Sequence, residues 1–447
     1  MEEISYSLTI IAVLAILFFW LQELGVLKLT GSNKIVKFLE VSNDSYSSFS
    51  KKNKDTAIEE SAYISKEDLQ VFKKILIAVI ATRVIIYLIG MMAVILTKNQ
   101  DVNLFKDFQG IWNKWDSPHY LSIAENGYLN TGDEANFIVF YPLYPLLVKI
   151  VSFVLQNYFL SGIIVSNTCL VIACCYLYKL VKMETECSNT AFESVKYLLI
   201  FPFAFFFGIV YTESTFLMLS VMTIYYIRRG EWLKVGLAGM LAALTKNQGI
   251  LLLVPAAMEY IIGLDLINRI KYKRYGEIIG SILKNGLLLL LIPCGFGLYL
   301  LLNKIVTGNW YQFLKVQEEH WYNKFGYFPE NLKNIANNAF NYNSYADRIS
   351  LWLPQVIVFF VVAILIFLSL KRLKASYACY MLAYLVVTFS PTWLLSAPRY
   401  VAALFPIYIV LALISAKYKT VGGVLKFAMI MLLGFYTMGF ACGAMIC

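Results

Sequence analysis

Runs of apolar residues long enough to cross a lipid bilayer recur from one end of this chain to the other, and that recurrence constrains the fold more than any motif does. A soluble core has no use for so many of them. Candidate spans lie near 4–24, 71–97, 160–180, 192–209, 213–228, 232–247, 249–264, 280–303, 352–370, 375–394, 399–416 and 422–443. Apolar residues make up 59% of the 447 and charged residues only 15%, so the expectation is an all-α, polytopic transmembrane helical bundle of about 12 spans. Within the bilayer only helices or closed barrels satisfy the backbone, and these runs have helical length.

The net charge of +10 does not argue for a nucleic-acid partner. The basic residues fall in short clusters between apolar runs and form no basic face, which is the pattern of topology signals. Seven of the eight cysteines lie in or beside apolar segments with no CxxC spacing, so no disulfide framework or zinc site is expected. The first run lacks a basic leader and a small-residue cleavage site and reads as a retained helix. The organisation expected is an N-terminal transmembrane helix over 1–30, a polar cytosolic linker over 31–70 and a transmembrane domain over 71–447.

Segment 138–156 is apolar enough to span, but it opens with Pro142 and Pro145 and carries Lys149. If it lies along the interface, then Lys179, Lys182, "RRGEWLK" at 228–234, "RIKYKR" at 269–274, "KRLK" at 371–374 and "KYK" at 417–419 share one side, the cytoplasmic one by positive-inside bias. The extracytoplasmic side then receives the loop 98–158, expected to carry interfacial helices, "YTES" at 211–214, "TKNQG" at 245–249, the loop 304–350 and "SAPRY" at 396–400. Nearly every polar constellation converges on that face.

Within it, Asp116 stands between Trp115 and Pro118, with Tyr120 and Tyr128 nearby. It reads either as a general base toward a hydroxyl or as a cap for a helix starting near Pro118. His119 would sit in the first turn, oriented toward Asp116 or a donor phosphate. A divalent metal shared by Asp116, His119 and His320 is one alternative, and a structural loop histidine is another. Glu213 is read as orienting an acceptor hydroxyl or holding a basic partner, against a solvated turn residue. Lys246, beside Asn247, offers a point charge to a phosphate, against a solvated helix end. Arg399 offers a bidentate fork, against an interfacial arginine that snorkels.

The residues Trp115-Asp116-x-x-His119, Ile123-Ala124-x-x-Gly127-Tyr128 and Phe140-Tyr141-Pro142-x-x-Pro145 together resemble the first-loop signature of the PIG-V family of mannosyltransferases. Further matches follow in order at 201–220, 245–249, 307–321 and 396–406, so the resemblance covers most of the chain from about residue 75. It implies a GT-C-like architecture and sugar transfer from a polyprenyl-phosphate donor with inversion, with Asp116 as the base. It also implies roles for Gln317 and Trp321 in the outer loop, and substrate contacts from Trp115 and Tyr128. Lys246 departs from the family, which more often has arginine there. Mannose, too, is implied only by the resemblance.

The acceptor expected is a glycolipid, a glycan or a protein. The active site would face outward in a prokaryotic plasma membrane or the lumen of the endoplasmic reticulum, with membrane lipid as the surrounding partner. No GxGxxG or P-loop is present for a sugar nucleotide, and no resident cofactor is expected. The rival readings are a lipid-linked glycan transporter or flippase and a glycan polymerase or ligase.

Overall fold

The computed structural model describes residues 1–27, 66–98 and 107–446. Most of the expected linker 31–70 and part of the loop 98–158 lie outside the described residues. Among the described residues the secondary structure is helical, with one isolated bridge between Phe325 and Pro391 and no strand. Six helices are long and apolar enough to cross a membrane: Glu2–Glu23, Lys66–Thr97, Tyr158–Thr185, Gly286–Thr307, Tyr345–Ser369 and Lys419–Cys442. Shorter apolar helices occupy Trp232–Ala243, Asn247–Gly263, Ala375–Phe389 and Pro406–Lys417. The chain is an integral membrane protein built from long spans with short helices between them.

The short helices arise where the apolar runs break. The run expected near 192–209 is helical only over Ser188–Leu199 and then irregular, apart from a turn of 3-10 helix at Ala204–Phe207. Pro202 cannot continue the helical ladder. The backbone groups so freed are taken by side chains: Arg83 Nη1 donates to Ala204 O (2.6 Å), the Tyr87 hydroxyl to Gly208 O (2.6 Å) and Ser214 Oγ to Phe207 O (2.6 Å). Irregular backbone at membrane depth is tolerated when protein groups satisfy it in this way. The same logic divides the run near 399–416 into Ala397–Ala402 and Pro406–Lys417.

Segment 138–156 is not a straight span. A 3-10 turn at Asp133–Val139 meets the helix Leu143–Leu155 at 114°. That 13-residue helix is about 20 Å long at 1.5 Å per residue, short of the ~30 Å hydrocarbon core. Leu143 N donates to Leu244 O at 3.1 Å, tying the bend to the end of the Trp232–Ala243 helix.

Helix packing relies on small residues where backbones approach closely. A methyl group placed on Gly295 would collide with the Met240 carbonyl, and one on Gly236 with the Leu288 carbonyl, so Leu291–Thr307 sits directly against Trp232–Ala243.

Contacts sort the helix ends into two groups. Lys182 pairs with Glu67 at 2.7 Å, Arg228 with Glu184 and Glu259, and Lys374 with Glu259, which gathers basic connections at one end of the bundle. Glu2 lies 3.4 Å from Lys333, and the Tyr6 and Tyr327 rings are 6.2 Å apart, so the first helix begins at the opposite end beside the 304–350 loop. It finishes with Glu23 Oε1 accepting from Ala375 N at 2.9 Å, back at the basic end. The Glu213–Arg229 helix joins the two ends, and its Glu213 and Arg228 are about 22 Å apart along the axis.

Candidate active site

The site is built from breaks in helices rather than from their middles. Asp116 occupies the N-cap position of Ser117–Asn126, and its backbone carbonyl accepts from His119 N (3.1 Å) and Tyr120 N (3.3 Å). Its side chain makes no capping bond. Trp115, just before it, holds φ at +57°, a left-handed conformation that turns the chain sharply into the helix. The turn is fixed from below: Tyr211 donates its hydroxyl to Lys114 O (2.9 Å), and the Lys114 ammonium donates to the carbonyls of Phe440 (3.3 Å) and Ala441 (2.5 Å).

Released from capping, the Asp116 carboxylate reaches across the fold to Arg399. Its Oδ2 lies 2.6 Å from Arg399 Nη1, which starts a chain of charges. Arg399 Nε stands 3.3 Å from Glu213 Oε1, and the same oxygen accepts from Lys246 Nζ at 2.7 Å. Two carboxylates and two cations, drawn from positions 116, 213, 246 and 399, therefore form one cluster whose formal charges cancel. Ionised groups out of water persist only when paired in this way. The side chain of Glu213 is 1% exposed, and those of Arg399 and Lys246 are 5% and 10% exposed; Asp116 is the open member at 23%. The second oxygen of Glu213, Oε2, is buried without a hydrogen-bond partner.

Aromatic rings wall the cluster. The Arg399 guanidinium lies 5.1–5.7 Å from the ring centres of Tyr400, Tyr211 and Phe206, and the Lys246 ammonium lies 4.4 Å from the Tyr400 ring. Cation–π attraction strengthens where water is excluded. Tyr120, buried in the first turn after Asp116, has its phenol pushed well above the ordinary value by burial and then by the Asp116 and Glu213 charges. It stays protonated and acts as a fixed wall.

His119 enters a second, aromatic group. Its ring lies 4.5 Å from Phe137, 5.2 Å from Phe140 and 5.9 Å from Trp321. Burial pushes the imidazole pKa down, Asp116 partly opposes this, and His320 adds to it. Among the described residues no group of three or more His, Cys, Asp or Glu side chains is placed to hold a metal ion.

The structure thus brings Asp116, Glu213, Lys246 and Arg399 together, with His119 and Trp321 in the adjoining aromatic group. The other expected residues have different engagements. Tyr128 donates its hydroxyl to Phe140 O (2.7 Å) and so ties the loop to itself. Asn247 is exposed and its Oδ1 accepts from Gln248 N (2.9 Å). Gln317 is half-buried on the helix Gln312–Glu319, where its carbonyl accepts from Asn323 N (2.8 Å). Trp115 is exposed beside the Asp116 turn. Tyr400, Tyr211 and Phe206 do not stand out in the sequence as site residues because aromatic side chains are common throughout this chain. The signal available was position: Tyr400 is adjacent to Arg399, and Tyr211 opens the "YTES" segment.

The GPI alpha-1,6-mannosyltransferase 2 of Rattus norvegicus is 29% identical over 150 residues, which is 31% of this chain and 29% of the relative. The protein of that name from Mus musculus is 28% identical over 159 residues, 33% of this chain and 31% of the relative. The chain therefore aligns with less than a third of the length of these curated relatives. Among solved structures, the archaeal oligosaccharyltransferase AglB from Archaeoglobus fulgidus, in complex with an inhibitory peptide and a dolichol-phosphate, is similar at a TM-score of 0.39 and 12% identity, over 81% of this chain and 55% of that one. The family model for mannosyltransferase (PIG-V) matches residues 69–305, more than half of the chain and three of the four charged positions of the cluster, so the chain belongs to the PIG-V mannosyltransferase family.

Proposed function

We propose that this protein is an integral-membrane glycosyltransferase that moves a hexose, mannose by the family's name, from a polyprenyl-phosphate donor to an acceptor hydroxyl on a glycolipid, glycan or protein. The observation that carries the reading is the cluster of Asp116, Glu213, Lys246 and Arg399, in which a partly open carboxylate is paired with one buried cation that Glu213 links to a second. Arg399 and Lys246 offer a fork and a point charge to the donor phosphate. Asp116 takes the proton of the acceptor hydroxyl while that oxygen forms a bond to the anomeric carbon. The bond from that carbon to the phosphate oxygen breaks on the opposite face, its electron pair stays on the phosphate, and the configuration inverts. Phosphate leaves without protonation, so one carboxylate suffices. The free Oε2 of Glu213 has the capacity to accept from a sugar hydroxyl.

The two side-chain cations supply the positive charge that a metal would bring to a phosphate, so the reaction is expected to persist in a chelator. By positive-inside bias, the end of the bundle opposite Lys182, Arg228 and Lys374 faces away from the cytosol, and the cluster lies there. The test is purified protein in detergent or liposomes with radiolabelled polyprenyl-phosphate mannose and candidate acceptors. Transfer by the wild type, unaffected by chelator and lost in Asp116→Asn, is expected. Movement of lipid between leaflets with no consumption of donor would overturn the reading in favour of a flippase.

A further inference from the structure

The two carboxylates of the cluster are not equivalent. Glu213 is 1% exposed and bridges both cations, at 2.7 Å from Lys246 and 3.3 Å from Arg399. Asp116 is 23% exposed, reaches Arg399 alone through Nη1, and is carried on a loop turn rather than within a spanning helix. Only one of the two is built to leave. In this arrangement Oδ2 of Asp116 is occupied by a guanidinium at 2.6 Å.

Resting on the donor reading above, we propose that Asp116 and the donor phosphate are alternative ligands of Arg399. The carboxylate is parked on the guanidinium in the empty enzyme and is freed as a base only when a phosphate takes its place. A sugar phosphodiester carries one negative charge, so it replaces the carboxylate at Arg399 without changing the charge paired there. Glu213 remains behind and keeps both cations oriented. Buried cations without a counter-ion would be costly in the empty site, and the parked carboxylate meets that need.

The exchange also closes the catalytic cycle. Transfer leaves the proton on Asp116 and a second negative charge on the polyprenyl phosphate, which Arg399 and Lys246 then hold against a neutral competitor. Loss of that proton to water restores the carboxylate, which reclaims Arg399 and helps expel the product. A base that fires only with donor in place also avoids a free carboxylate repelling the incoming phosphate.

The test is equilibrium binding of farnesyl phosphate, a short polyprenyl monophosphate, to the purified full-length protein. The variants are wild type, Asp116→Asn, Arg399→Ala and the double variant, each checked for a cooperative thermal melt. Parking predicts that Asp116→Asn binds about 5–150-fold more tightly and releases the lipid more slowly, a coupling of ordinary size. It further predicts that this gain disappears when Arg399 is absent, so that the single Arg399→Ala and the double variant bind alike. Equal affinity of wild type and Asp116→Asn overturns the exchange, and so does a gain that persists without Arg399, which would be simple charge repulsion. Arg399→Gln serves the same comparison if the alanine variant does not melt cooperatively. Absence of binding by the folded wild type and Asp116→Asn would instead sink the lipid-phosphate reading on which the exchange rests.

Discussion

The two ends of the Glu213–Arg229 helix hold two charged clusters made of the same ingredients, and they are assembled differently. At the Arg228 end, Arg228 Nε meets Glu184 at 2.5 Å and Nη1 meets Glu259 at 2.6 Å, while Lys374 stands 3.2 Å from Glu259. Hydroxyls take up remaining acceptor capacity: Ser376 Oγ donates to Glu259 Oε1 (2.5 Å) and Tyr377 to Glu184 Oε1 (2.9 Å). Apart from Lys374, its members lie on packed helices. At the Glu213 end, Glu213 starts the helix itself and the other three members come from a loop turn, a turn between two short helices and the six-residue helix Ala397–Ala402; one carboxylate is partly open, and an oxygen of the other lacks a partner. Charges closed off by neighbouring hydroxyls on packed helices fasten a bundle. Unsaturated charges on breaks leave room for a ligand.

That contrast can be broken by substitution. The largest effect expected is on activity: Asp116→Asn should lower transfer by about 10²–10⁴-fold, the usual contribution of a general base, while its thermal melt falls less than that of a variant stranding a fully buried pair, because Arg399 keeps Glu213 and the Asp116 position is partly open. Arg228→Ala should instead cost about 3–5 kcal/mol of stability by stranding Glu184 and Glu259, with activity falling only as far as folded protein is lost. Parallel melts and turnover assays decide this, and the contrast collapses if Asp116→Asn melts as early as Arg228→Ala.

A smaller effect sharpens the contrast. Arg399→Lys keeps the charge but loses the fork, so KM for donor should rise by about 10–150-fold, from the ~1.5–3 kcal/mol of a hydrogen bond to a charged group, with little change in melting. An unchanged KM would remove Arg399 from phosphate binding.

The smallest expected effect is one of pH. The His119 pKa is lowered in the folded protein, so its contribution to stability is fully present above the unfolded value of about 6.5 and is lost as pH falls through the lower folded value. Acidification should loosen the packing of His119 against Phe137, Phe140 and Trp321, read as a reversible change in tryptophan emission that is absent in His119→Gln. An identical response in that variant would assign the change elsewhere.

Much of this was open to reading in the sequence. The long spans appear where apolar length demands them, and Asp116, Glu213, Lys246 and Arg399 each stand out as charged residues at the edges of apolar runs. Local sequence does not separate the competing explanations for them. A helix-capping Asp116, a solvated Glu213 and a snorkelling Arg399 predict the same local sequence, and only burial and pairing tell them apart. Tyr128 and Asn247 show the converse, since their side chains are committed to backbone groups that no spacing rule identifies. The continuous span expected near 192–209 failed because its backbone is satisfied by Arg83 and Tyr87 from a helix more than a hundred residues away.

The sequence by itself determined that the chain lives in a membrane, that it is helical, and that its polar groups gather where helices end, because lipid permits little else for so many apolar runs. Only the tertiary structure decided that positions 116 and 399 form an ion pair at 2.6 Å and that Glu213 joins both cations. Periodicity and composition report how each residue meets its solvent. A partner hundreds of residues away is chosen by packing, where the cost of an unpaired buried charge selects one arrangement.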